Sequence, residues 1–197
     1  MASITGTKRS ARQIRQPDAA SELRHSYVFP TECGWMAVCW TGPLLRGFTL
    51  GHPSAAAALA TLGDGADPTD SPPAFVRRLA ERIQAYASGV RDDFRDVPLD
   101  LSHLTEFQQR VVEQCRRIRP GQTLSYAELA AQAGYPGAAR AVGNTMARNR
   151  FPIVVPCHRV VGAGGTIGGF SAPSGISLKQ KLLVLEGSLG SRRKKPR

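Results

Sequence analysis

The sequence predicts an α/β protein of two parts, a small sheet-and-helix domain followed by a mainly helical one, on three observations. Short β-favouring runs separated by turn residues crowd residues 27–50. Beyond residue 100 the apolar residues recur instead at helical spacing. Between the two lies a charged stretch, Gly89 to about Leu101, which contains Pro98 and reads as a connector. A chain of 197 residues, 42% of them hydrophobic, is long enough to bury a sizeable core as one large or two small domains.

Residues 1–24 are polar and basic with no apolar period, and predict a flexible arm outside the fold. The runs Tyr27–Phe29, Gly34–Trp40 and Leu44–Leu50, the last two separated by Thr41-Gly42-Pro43, predict an antiparallel meander. Ala55–Leu62 reads as a short helix closed by Gly63, residues 63–73 as a loop, and Ala74–Ala87 as a helix with Phe75, Leu79, Ile83 and Tyr86 on its inner face. Residues 25–100 are thus the first domain with its connector.

The second domain is expected over residues 101–190. Thr105 is a predicted N-cap for a helix Glu106–Ile118 that buries Phe107, Val111, Cys115 and Ile118. Ser125 and Glu128 form a capping box for a helix through Ala133. The turn Gly134-Tyr135-Pro136-Gly137 and a second helix, Ala138–Asn149, complete a helix-turn-helix pattern. Its small residues Ala138, Ala139, Ala141 and Gly143 would let a duplex approach, with Arg140 and Arg148 supplying charge. An ordinary αα-hairpin has the same pattern; the helix-turn-helix is favoured because the second helix runs straight into the chain's chemical centre. A last helix, Ser177–Glu186, is expected to turn Leu178, Leu182, Val184 and Leu185 inward, before a basic tail over residues 191–197.

That centre is the stretch from Asn149 to Gly162. Pro152 and Pro156 bracket Ile153-Val154-Val155, predicting an extended buried strand that presents Cys157 on a stiff turn. His158 and Arg159 follow at once, and either cation is expected to lower the thiol from its free value of about 8.5. Two readings stand, a nucleophile and a buried core cysteine. The glycine-rich Gly162–Gly169 reads as the wall of a pocket for a planar ligand.

The formal charge of +11 is unevenly spread: residues 25–100 carry −3, residues 101–190 carry +6 and the last seven residues +5. The basic excess therefore lies with Cys157, as it would for a polyanionic partner such as DNA or for a solvated basic face. Cys33, Cys39, Cys115 and Cys157 are too scattered for a disulfide framework or a spacing-defined metal site, and Cys33 and Cys39 read as packing residues. With no run of 18 apolar residues and no N-terminal apolar segment, the expectation is a soluble cytoplasmic protein, or a nuclear one in a eukaryote.

The string Pro156-Cys157-His158-Arg159-Val160-Val161-Gly162, with Asn149 before it and Gly168-Gly169-Phe170-Ser171 after it, closely resembles the active-site signature of the O6-alkylguanine-DNA alkyltransferases. The likeness extends over residues 104–187. It implies a ribonuclease H-like first domain and a winged helix-turn-helix in the second. It also implies irreversible transfer of an alkyl group from O6-alkylguanine, and from O4-alkylthymine, in double-stranded DNA onto Cys157. The protein would be a monomer that acts once, flips its target base and needs no cofactor or metal.

Residue by residue, the resemblance makes His158 a water-linked base, Glu186 the carboxylate that orients it, and Tyr126 the donor to N3 of the departing guanine. Asn149 would be the hinge and Arg140 the finger that replaces the flipped nucleotide. Ser171 and the carbonyls of Cys157 and Val160 would read the guanine edge, with Met146 and Phe170 against the base. Ala139, Arg140, Gly143, Arg148 and Arg150 would face DNA. Arg150 stands where the family usually has proline, and Ala172-Pro173-Ser174 where it usually has a Gly-Gly pair. The family's structural zinc finds no ligand match at Cys33 and Cys39. Rival readings are a non-catalytic lesion sensor or helix-turn-helix regulator, and a Cys-His hydrolase with an oxyanion hole.

Overall fold

A computed structural model describes residues 24–63 and 65–188. The expected arm, except Arg24, and the basic tail lie outside the described residues. The meander forms as predicted: β1 (Arg24–Thr31), β2 (Gly34–Thr41) and β3 (Leu44–His52) pair antiparallel in sequence order. Arg24, assigned to the arm from sequence, is the first residue of β1. Residues 63–73, expected as a loop, hold a further strand, β4 (Ala66–Pro68), parallel to β1 and completing the order β3-β2-β1-β4. Its residues have little β propensity; pairing with the free edge of β1 satisfies backbone groups that a loop would leave to water.

Helix α1 (Ala55–Thr61) starts at Ser54, whose Oγ accepts the Ala57 N–H, and α2 (Ala74–Ala87) buries Val76, Leu79, Ile83 and Tyr86. Helix α3 (Glu106–Arg116) opens on the predicted Thr105 cap, reciprocated by Gln108, and buries Val111 and Cys115. The capping box of α4 (Tyr126–Gln132) is also present: Ser125 N–H donates to Glu128 at 2.6 Å and Glu128 N–H to Ser125 Oγ at 3.1 Å. Helix α5 (Ala139–Ala147) follows the turn, shorter than expected at both ends.

The remainder of the second half is held by one small sheet. Strand β5 (Leu124–Ser125) pairs parallel with β6 (Val160–Val161), so the start of α4 is fastened beside the residues that follow Cys157. The final helix α6 runs from Gly175 to Leu185. Contrary to expectation, Val184 is exposed at 58%, and Lys179 and Leu183 join Leu178 and Leu182 inside.

One apolar core runs from the sheet and α2 through α3, α4 and α6 without interruption. The two halves are also tied by backbone, Phe48 N–H in β3 donating to the Arg150 carbonyl at 2.8 Å, while Leu45 N–H holds the connector by the Pro98 carbonyl at 3.0 Å.

Candidate active site

The expected extended strand before Cys157 is replaced by a tight turn. Ile153 has φ +70, Val154 N–H bonds back to the Pro152 carbonyl at 3.0 Å, and Val155 N–H to the Phe151 carbonyl at 2.7 Å. All residues from Phe151 to Val161 are buried. Folding the run on itself satisfies its polar groups internally and lets its side chains pack in several directions. Cys157–Arg159 then form a single 3₁₀ turn.

Asn149 holds that turn. Its Nδ2 donates to the Val155 carbonyl at 2.9 Å and to Cys157 Sγ at 3.1 Å, while Oδ1 accepts the Phe151 N–H at 3.0 Å. The residue lies just beyond α5, so the helix-turn-helix and the thiol share one amide side chain. Burial pushes the Cys157 thiol up, offset in part by the Asn149 hydrogen bond, the Lys179 charge and the backbone N–H groups of Cys157 and His158. The expected lowering by His158 and Arg159 is thus corrected: both are committed elsewhere, and Lys179 is the cation that acts on the sulfur.

Their commitment is to Glu186, at the C-terminal cap of α6. His158 Nε2 lies 2.9 Å from Glu186 Oε1, and Arg159 grips both oxygens, Nη2 to Oε1 at 2.7 Å and Nε to Oε2 at 2.9 Å. Burial would raise the Glu186 carboxyl, but these hydrogen bonds and charges hold it well below the usual carboxylate range. Facing a carboxylate, Nε2 carries the ring proton, and His158 Nδ1 presents a lone pair; Nδ1 is buried with no protein hydrogen-bond partner among the described residues. Burial lowers the His158 pKa, opposed by the Glu186 hydrogen bond. A neutral imidazole with a basic nitrogen results.

Cys157 opens into a cavity of about 620 Å³ between the two halves, bounded by Tyr126, Met146, Asn149 and Phe170 and, from the sheet side, by Phe48 and Thr49. Tyr126 reaches it because β5 pairs with β6. Burial and then the Cys157 charge raise its phenol, keeping it a proton donor. A side chain at Gly168 would meet the Tyr126 hydroxyl at 3.3 Å, so this glycine leaves the phenol its room. The rest of the glycine stretch departs from the expected wall: Ala163 to Gly165 form an exposed turn, and Gly169 alone of residues 162–169 lines the cavity.

The other predicted residues divide between the cavity and the surface. Gly143, Arg150 and Ser171 also line the cavity, and Ser171 Oγ donates to the Ala147 carbonyl at 2.7 Å. Arg140 and Arg148 are exposed and Ala139 is half-buried on α5. Val160 is fully buried outside the cavity lining, its carbonyl accepting Lys179 Nζ at 2.6 Å. Among the described residues no group of three His, Cys, Asp or Glu side chains is placed to hold a metal ion.

Two participants escaped the sequence reading. Nothing in the sequence singles out Lys179 on the last helix, and Tyr86 reads only as part of the inner face of α2; the Tyr86 hydroxyl donates to Glu186 Oε1 at 2.7 Å. Helical spacing marks Tyr86 as inward but not what it meets, and gives no signal for Lys179.

Residues 106–188 match the family model described as the DNA-binding domain of 6-O-methylguanine DNA methyltransferase. A methylated-DNA–protein-cysteine methyltransferase of Mycolicibacterium paratuberculosis is 47% identical over 118 residues, 60% of this chain and 68% of that protein. One from Methanothermobacter thermautotrophicus is 40% identical over 117 residues, 59% of this chain and 64% of that protein. The crystal structure of Mycobacterium tuberculosis OGT in complex with DNA superposes with a TM-score of 0.68 at 36% identity, over 83% of this chain and 93% of that one. With a Cys-His-Glu arrangement on the fold of these relatives, the chain belongs to the O6-methylguanine-DNA methyltransferase family.

Proposed function

We propose that this protein repairs DNA by moving the alkyl group of O6-alkylguanine, and of O4-alkylthymine, onto Cys157. The observation that carries the reading is the thiol itself, lining a cavity of about 620 Å³, held by Asn149 and beside a buried His158–Glu186 pair. Cys157 Sγ attacks the alkyl carbon, the bond to O6 breaks, and the thiol proton passes to the basic Nδ1 of His158 through a water. Glu186 steadies the imidazolium so formed. Tyr126, kept protonated, donates to N3 of the departing guanine and neutralises it. The product is a thioether with no easily displaced leaving group, so each molecule acts once.

DNA is the partner, approached by the exposed face of α5. Arg140 fills the space of the nucleotide turned out into the cavity, and Arg148 and Arg150 meet phosphates. Met146 and Phe170 pack on the base. We assign residues 25–100 to a supporting domain and residues 101–190 to the DNA-binding and transfer domain of a monomer that works in the compartment holding the DNA. No described helix is long and apolar enough to cross a membrane.

Intact-mass spectrometry after mixing with duplex containing O6-methylguanine tests the reading. One methyl group on Cys157 per protein molecule is expected. Repeated turnover would overturn the suicide step, and an unmodified Cys157 in a protein that still binds the lesion would favour a sensor.

A further inference from the structure

The Glu186 carboxylate receives one more donor than the relay needs. Besides His158 and Arg159, it accepts the hydroxyl of Tyr86 at 2.7 Å, on the same Oε1 that faces His158 Nε2. That hydroxyl lies 3.4 Å from His158 Nε2, and Tyr86 is only 2% exposed. It belongs to α2, on the sheet-bearing half of the chain, 100 residues from its partner. Its ring is set by edge contact with Phe94 at 5.7 Å. Packing alone would be served by phenylalanine; a hydroxyl aimed at a buried carboxylate is a chemical choice.

We propose that Tyr86 is a positioning residue of the alkyl-transfer site, which fixes Glu186 Oε1 and limits its pull on the His158 proton. The inference rests on the function proposed above. Oε1 is shared by Tyr86, Arg159 Nη2 and His158 Nε2, whereas Oε2 takes Arg159 Nε. Each donor on Oε1 reduces the electron density offered to the others. With Tyr86 in place, Glu186 orients the ring but remains a weaker counter-charge, and His158 stays neutral until the thiol proton arrives. Burial, then the Glu186 charge and hydrogen bond, raise the Tyr86 phenol far above its ordinary value, so it donates at every working pH. The groups bearing on His158 are Glu186 and Lys179 from α6, its neighbour Arg159, and Tyr86 from α2.

The experiment follows the His158 ring by ¹⁵N NMR in protein with labelled histidine, alongside single-turnover transfer as a function of pH. Tyr86→Phe frees Oε1 of one donor, strengthens its hold on the His158 proton and raises the histidine midpoint by about half to one unit. Transfer below that midpoint should slow by about 3- to 10-fold and approach the unmodified rate at alkaline pH. Replacing Tyr86 with 3-fluorotyrosine, a stronger donor of nearly the same shape, should move the midpoint the other way. This second variant keeps the hydroxyl and carries the test if Tyr86→Phe does not fold. Unchanged midpoints in the folded variants would overturn the proposal, whatever happened to thermal stability. The NMR titration needs no DNA, so failure of the repair reading would be seen separately as absence of transfer.

Discussion

Asn149 Nδ2 donates to Cys157 Sγ at 3.1 Å while its Oδ1 accepts the Phe151 N–H at 3.0 Å, so one amide spans the turn that carries the thiol. A donor aimed at sulfur favours the thiolate over the thiol, against the burial that does the reverse. Hydrogen bonds to charged groups contribute about 1.5–3 kcal/mol. Asn149→Ala should therefore slow alkyl transfer by about 10- to 100-fold. The pH midpoint for Cys157 reaction with iodoacetamide should rise in the same variant, and an unmoved midpoint would remove the electrostatic role.

Arg140 and Tyr126 should fail differently. Arg140 is exposed on α5, and its assigned step, replacing a flipped nucleotide, exists only in duplex. Arg140→Ala should impair reaction with duplex far more than with free O6-benzylguanine. Tyr126→Phe should slow both by about 10- to 1000-fold, as loss of a positioned acid does. Paired single-turnover rates decide: equal losses for Arg140→Ala, or a full duplex rate for Tyr126→Phe, would refute the respective assignment.

Gly168 offers a test of Tyr126 placement that leaves the phenol intact. A Cβ there would lie 3.3 Å from the hydroxyl, so Gly168→Ala must displace it by a few tenths of an ångström. Transfer should slow while DNA affinity stays within about twofold, since positioning errors of this size act on the chemical step. Loss of binding with an intact rate would show that the glycine serves DNA instead.

Glu186 ties stability to acidity. Its carboxyl is held below the ordinary range in the folded protein and returns to about 4.3 when the chain unfolds. Below that value the unfolded state binds a proton the folded state refuses, so stability is present at neutral pH and falls as pH drops below about 5. Glu186→Gln should flatten that limb in urea titrations between pH 6 and 3. A limb of unchanged slope would place the acid sensitivity elsewhere.

The meander, the helix caps at Thr105 and Ser125 and the helix pair were legible because they rest on neighbouring residues. Local propensity and short turns decide the strands and helices, and hydrogen bonds within four positions decide the caps. The turn at Ile153 was not, since two prolines around a β-branched run spell extended chain, and only the tertiary demand for burial drives Ile153 to φ +70. Strand β4 was hidden for a related reason, its pairing partner lying some 40 residues earlier. In the site, the Cys157-His158 pair stands out in the sequence, and the roles of His158 and Glu186 come from the family resemblance. Tyr86 and Lys179 reach the same cluster from helices whose periodicity looked like plain packing.

The continuity of the core has a thermodynamic consequence. Phe48 N–H bonds the Arg150 carbonyl beside the thiol turn, and Tyr86 anchors the carboxylate behind it, so the sheet-bearing half cannot open without dismantling the reactive centre. Cooperativity in this chain therefore belongs to the whole described body and not to its halves: heat should melt it in a single transition, and the nucleophile should lose its environment at the temperature where the meander does.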